Sequence, residues 1–140
     1  MKYEKTLTHE FVDHIPDALE EGKIYVSIPF ATVVHKCCCG CGNEVITPLS
    51  PTDWELIYNG KSISLNPSIG NWGFDCKSHY WIKHNKVTWA RRWSEQEVEG
   101  GRTHDREVKK KYFNNTKDSI VGDKNEKLDF WWKLKKWWKV

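Results

Sequence analysis

The chain has 140 residues, 39% of them hydrophobic and 29% charged, with a net charge of +3, which suits one domain with an appendage rather than several domains. No run of about 18 apolar residues is present to span a bilayer, and the first residues lack the apolar core of a secretory signal. The composition therefore predicts a cytoplasmic protein, where thiols stay reduced, and its five cysteines, an odd number, point to metal or catalysis rather than to a disulfide framework.

In chain order, the first hundred residues read as strands and turns. Residues 23–28 (KIYVSI) are β-branched and aromatic, with a turn before them, and 30–35 (FATVVH) form a second extended run. Residues 43–47 (NEVIT) leave the cysteine cluster and end at Pro48. Two runs within 54–65 flank Asn59-Gly60, the pair favoured by a two-residue type I′ hairpin. Residues 78–90 predict another hairpin, turning near His84-Asn85. The expected fold class is mainly β: a small antiparallel domain, residues 1–101, stabilised by zinc because its core is modest, with a C-terminal amphipathic helix.

Between the second and third strands lies HKCCCGCG, residues 35–42, and a fifth cysteine follows at Cys76. Structural zinc takes about four thiolates or imidazoles in a tetrahedron at short spacings. Cys37, Cys39 and Cys41 alternate, and Gly40 and Gly42 free the backbone to wrap an ion. With Cys76 they make an all-thiolate set of ligands. His79 or His35 replacing one thiolate makes a mixed set of cysteines and one histidine, and a Cys38/Cys41 knuckle is a further alternative. Inert buried thiols are disfavoured, since thiols this close oxidise unless masked. A thioredoxin-like pair lacks its βαβ setting. Thiolate-rich ligation favours a structural over a catalytic ion.

Residues 64–81 (SLNPSIGNWGFDCKSHYW) hold groups suited to acyl transfer. Ser68 lies beside Gly70, and nearby backbone N–H groups with the Asn71 amide suit an oxyanion. His79, three residues after Cys76, is the first choice of general base, and His35 the second. Asp75 or Asp53 is available to orient the imidazole. The competing structural reading makes Pro67-Ser68 the cap of a helical turn, Gly70-Asn71 a tight turn and His79 a ligand. No G-x-S-x-G elbow is present, and Ser78 is the weaker nucleophile because neighbours in a strand face opposite ways.

These residues resemble a small bacterial family whose pattern is His-x-Cys-x-Cys-Gly-Cys-Gly, then Thr-Pro-Leu-Ser-Pro, then Ser-Leu-x-Pro-Ser-Ile-Gly-Asn-Trp, then Cys-x-Ser-His-Tyr-Trp-Ile. The resemblance covers residues 22–90 and marks His35, Cys37, Cys39, Cys41, Ser68, Asn71, Cys76 and His79, but not Cys38. The family occurs beside bacterial ubiquitin-like proteins and their E1- and E2-like enzymes, a setting linked to antiphage defence, and is regarded there as a candidate peptidase. The resemblance implies a zinc-stabilised serine-type peptidase acting on a bacterial ubiquitin-like protein, with Cys37, Cys39, Cys41 and Cys76 as ligands. The alternatives are a non-catalytic zinc-binding recognition module of the same system and a zinc-dependent metallopeptidase.

Beyond the core, residues 102–127 are polar and charged and are expected to form a linker, with a short helix near 105–113. Residues 102–140 hold 12 Lys/Arg against 6 Asp/Glu, and four of the nine tryptophans fall in the last ten residues. At 128–140, Phe130, Trp131, Leu134, Trp137 and Trp138 share one helical face with lysines largely opposite. That face is expected to pack on the domain, to lie on the inner membrane as a peripheral contact, or to dock a partner. The core is acidic and carries no recognised nucleic-acid motif, so no nucleic acid is expected as a partner.

Overall fold

The computed structural model describes residues 6–137, with side chains as far as residue 117. The chain divides into two compact units, Met1–Val98 and Glu99–Val140. The first unit holds eight strands: β1 (Thr8–Phe11), β2 (Lys23–Ser27), β3 (Thr32–Lys36), β4 (Glu44–Pro48), β5 (Glu55–Tyr58), β6 (Ile63–Gly70), β7 (His79–Lys83) and β8 (Lys86–Trp89). They form two four-stranded sheets, β1-β2-β3-β4 and β5-β6-β7-β8. Isolated bridges join Leu49, just after β4, to Trp54, just before β5, and Thr6, before β1, to Lys86 of β8.

Alternation of side chains drives this arrangement. In β4, Val45 and Thr47 are buried while Glu44 and Ile46 are exposed, the pattern of a strand with one face on the core. Ile24, Val26, Val33, Val45, Ile63, Leu65, Ile69, Tyr80 and Ile82 form one core cluster drawn from both sheets, and Cys37, Cys38 and Cys39 belong to it. The opposite face of β2 and β3 is covered separately: Tyr25 and Val34 pack with Leu19, Val12 and Ile15.

The fold is mainly β, as the sequence predicts, and departs from the expectation in three places. β1 pairs parallel to β2, so the first sheet is mixed rather than antiparallel. Asn59-Gly60 is not a two-residue type I′ turn. Tyr58 pairs with Ile63, only Gly60 of the loop has positive φ, and Asn59 Oδ1 accepts from the N–H groups of Lys61 and Ser62. The two-residue turn is instead His84-Asn85, with φ of 50° and 61° between the paired Lys83 and Lys86.

The third departure is the segment expected as a charged linker. Residues 102–127 lie within a single helix, α1 (Glu95–Trp137). Its start is a capping box: Ser94 N–H donates to Glu97 Oε2 at 2.7 Å, and Glu97 N–H donates to Ser94 Oγ at 3.3 Å. Arg102 and Arg106 both pair with Glu99. Over its described side chains the helix is supported by these charge pairs and its cap. The expected amphipathic face at 128–140 falls where side chains lie outside the described residues. Among the described residues no helix is long and apolar enough to cross a membrane.

The site is positioned by β6. It runs for eight residues against four in β5, and its register with β7 shifts between Leu65↔Ile82 and Ile69↔Tyr80. Four residues of β6 thus span two of β7, a bulge over Asn66, Pro67 and Ser68. Leu65 and Ile69 keep their places in the core, while the bulge re-aims Ser68 toward the next strand.

Candidate active site and metal centre

Ser68 and His79 are brought together from strands β6 and β7. Ser68 Oγ lies 2.8 Å from His79 Nε2. His79 Nδ1 lies 2.8 Å from the carbonyl oxygen of Arg91. A carbonyl only accepts, so Nδ1 carries the proton and Nε2 is left as the acceptor for the serine hydroxyl. That is the tautomer a general base needs.

His79 is 6% exposed and is enclosed by indoles. Trp72 meets it edge-on at 5.1 Å, Trp93 at 5.2 Å, and Trp81 lies tilted at 5.8 Å. Trp72 and Trp93 stack on one another. Gly70, which pairs with His79 across the sheet, admits the Trp72 ring: a Cβ there would overlap Trp72 Nε1 and stand 2.7 Å from Cε2.

Two residues expected at the nucleophile are placed elsewhere. Asn71 does not turn its amide toward Ser68. Its Nδ2 donates to Ser78 Oγ at 2.9 Å and reaches Tyr80 Oη at 3.4 Å and Cys37 Sγ at 3.8 Å, and its main-chain N–H donates to Ser78 O. His35 is 1% exposed in the core, with Nε2 2.8 Å from the Tyr80 hydroxyl. Burial lowers its pKa to about 4 and keeps it neutral. Neither aspartate orients His79: Asp53 accepts from Ser50 Oγ at 2.7 Å, Asp75 is exposed, and the Arg91 carbonyl holds Nδ1.

The four expected ligands do converge. The sulfurs of Cys37, Cys39, Cys41 and Cys76 all lie within 4.8 Å of one another, with Cys37–Cys39 at 3.4 Å and Cys37–Cys76 and Cys41–Cys76 at 3.8 Å. Four thiolates at about 2.3 Å from a tetrahedral ion stand about 3.8 Å apart, so the cluster fits a metal ion. Left-handed Gly40 and Gly42, at φ of 85° and 84°, let the loop curl back so that Cys37 N–H donates to Asn43 O. Cys38 faces away and interacts with Tyr80.

Groups around the sulfurs suit thiolates. Asn43 Nδ2 donates to Cys41 Sγ at 3.4 Å, and Ser78 Oγ lies 3.1 Å from Cys37 Sγ and 3.5 Å from Cys76 Sγ. Burial pushes the Cys76 thiol up, but hydrogen bonds from the Ser78 hydroxyl and main-chain N–H, and from Cys39 and Cys41, outweigh it and hold the group at about 7. Burial raises Cys37 and Cys39.

Reasoning from residue types missed Arg91, whose contribution is a main-chain atom, and the indole enclosure of Trp72, Trp81 and Trp93. The Ser94-x-x-Glu97 signature was a readable sign of the helix start that fixes Arg91. A sequence model of the family described as "Bacterial ubiquitination-like system serine protease (BubE)" matches residues 11–90, more than half of the chain. No curated protein and no solved structure matches it.

Proposed function

The chain belongs to the bacterial ubiquitination-like system serine protease family, and from that membership we propose that it is a peptidase with Ser68 as nucleophile and His79 as general base. The observation that carries this reading is the 2.8 Å contact of Ser68 Oγ with a His79 Nε2 left free to accept by the Arg91 carbonyl. Ser68 Oγ attacks the scissile carbonyl carbon while its proton passes to Nε2. The carbonyl oxygen becomes an oxyanion, held by main-chain N–H groups of the 68–70 segment rather than by Asn71. Collapse of the intermediate expels the amine, which takes the proton from Nε2 and leaves an acyl-Ser68 ester. Water, deprotonated by Nε2, then attacks the ester, releasing the carboxylate and restoring the hydroxyl.

Cys37, Cys39, Cys41 and Cys76 would hold zinc, which supplies structure: four thiolates fill its coordination and leave no open position for water. Cys37 to Cys41 follow β3 and Cys76 precedes β7, so the ligands tie the two sheets together directly beside His79. Ser78, hydrogen-bonded among the sulfurs, sets the main chain from which the His79 imidazole projects.

The substrate is a bacterial ubiquitin-like protein, cleaved from a C-terminal extension or from a conjugate, in the company of E1- and E2-like enzymes in the cytoplasm. Incubation of the zinc-loaded full chain with such a precursor, read by intact mass, should give the shortened modifier and the released extension. Ser68→Ala should abolish this while retaining zinc. Cleavage by Ser68→Ala at the parent rate would overturn the reading.

A further inference from the structure

Ser68, Gly70 and His79 share one face of the second sheet. Ile69 and Tyr80, paired across β6 and β7, point into the core, and alternation along a strand turns their neighbours to the opposite side. The same face carries the indole of Trp72, folded back over Gly70 so that its Nε1, Cε2 and Cζ2 edge lies where a Gly70 Cβ would stand. A glycine inside a strand marks a place where another group must approach closely. What approaches here is the nitrogen edge of an indole, two residues along β6 from Ser68 and opposite His79.

That nitrogen is a donor without a partner in the protein itself. An indole N–H only donates, and when buried it ordinarily finds an acceptor. Trp72 makes ring contacts with His79 and Trp93 at 5.1 and 5.5 Å, but among the described residues none accepts from its Nε1. The side chain is half-buried. The polar atoms sealed without a partner are His35 Nδ1 and Trp54 Nε1, not Trp72 Nε1, so a substrate atom can reach this donor. Its stack on Trp93 and its edge contact with His79 hold the ring in place before a substrate binds. A fixed donor beside the nucleophile is what a developing negative charge requires.

We propose that the Nε1–H of Trp72 donates to the carbonyl oxygen of the bond that Ser68 attacks, as a side-chain member of the oxyanion hole beside the main-chain N–H groups of the 68–70 segment. Trp72 is then a catalytic residue as well as part of the wall around His79. The inference deepens the peptidase reading and rests on it. A donor whose hydrogen bond strengthens as the carbonyl oxygen gains charge lowers the barrier without tightening the ground state. Nε1 keeps its proton throughout, and the proton of Ser68 still passes to His79.

The test uses the zinc-loaded full chain, labelled with nitrogen-15 tryptophan, and an alkyl fluorophosphonate. Ser68 Oγ bonds to phosphorus, fluoride leaves, and the hydroxyl proton passes to His79, so the adduct presents a phosphoryl oxygen at the oxyanion position. Of the nine indole N–H signals, that of Trp72 should move downfield most as the adduct forms. Trp72→3-benzothienylalanine, which keeps the fused ring but has sulfur in place of N–H, identifies the signal by its loss. The same variant should react about 10²-fold more slowly, as loss of one oxyanion donor does, with its zinc content and far-UV circular dichroism unchanged. Trp72→Phe also lacks the N–H and should slow the reaction at least as much. A Trp72 signal left in place by the adduct, or a benzothienylalanine variant that reacts at the parent rate, would overturn the proposal and leave Ser68 as the nucleophile. Absence of any Ser68 adduct by intact mass would overturn the peptidase reading and this inference with it, so the two failures are distinct.

Discussion

The carbonyl oxygen of Arg91 lies 2.8 Å from Nδ1 of His79, where a Ser-His-Asp arrangement would place a carboxylate. On the proposed mechanism a neutral carbonyl would hold the imidazolium by dipole and placement rather than by net charge, so catalysis should depend on the position of Arg91. That position is clamped: the Arg91 guanidinium donates to both oxygens of Glu97 at 3.1 and 2.6 Å, and Glu97 is locked to Ser94 by the capping box.

Glu97→Gln should therefore lower kcat on the order of 10-fold with KM little changed, because positioning rather than substrate binding is lost. Steady-state kinetics on a cleavable peptide read this directly, and an unchanged kcat would remove Glu97 from the account. The Arg91 hydrogen bonds, followed by the Ser94 N–H, lower the Glu97 carboxyl to about 2 from its ordinary 4.5. For a depressed carboxylate the clamp is complete above 4.5 and lost as pH falls through about 2. Near neutral pH, the Gln substitution alone reveals it.

Gly70→Ala tests the indole enclosure. The new Cβ would overlap Trp72 Nε1, so the ring must leave His79 and its stack on Trp93. Activity should fall roughly 10²-fold, the cost of misplacing a catalytic group by about an ångström. Far-UV circular dichroism should stay the same while the tryptophan near-UV signal changes. A fully active Gly70→Ala enzyme would show that the enclosure is dispensable.

Purified protein should contain one metal ion per chain by elemental analysis, and Cys41→Ser or Cys76→Ser should lose it together with the fold of the first unit. Ser78→Ala should keep the ion but weaken its binding about 10- to 100-fold, as removal of a hydrogen bond to a ligand does. Competition with a chromophoric chelator measures the change. Burial favours the protonated thiols of Cys37 and Cys39, so loading must release protons, and affinity should fall as pH is lowered.

His35→Ala separates the buried histidine from catalysis. It leaves a cavity and takes one partner from the Tyr80 hydroxyl, so stability should drop by about 2–4 kcal/mol. Turnover per folded molecule should be unchanged at a temperature where the variant is folded. A specific loss of kcat without destabilisation would restore His35 to the reaction.

The parts of the molecule legible in sequence were those whose signal is local. The alternation in residues 23–58 and the 78–90 hairpin gave their strands, and the cysteine spacing gave the four sulfurs. β1 was missed because a four-residue strand paired in parallel leaves no turn signature. The helix over 102–127 was missed because charge composition alone does not distinguish a linker from a helix held by cap and ion pairs. Ser68 and His79 were found by residue type, but their contact depends on a register shift that no residue pattern encodes. Asn71 was assigned to the nucleophile for its proximity in sequence, whereas the turn over residues 71–77 directs its amide to Ser78, Tyr80 and Cys37.

Ser78 and His79 are consecutive, the first hydrogen-bonded among the sulfurs and the second against the nucleophile. No lever arm or flexible joint separates the two. On the proposed reading the cysteine cluster and the base share one stretch of main chain, so oxidation of the cysteines should lower both the metal content and the reactivity of Ser68 toward a fluorophosphonate.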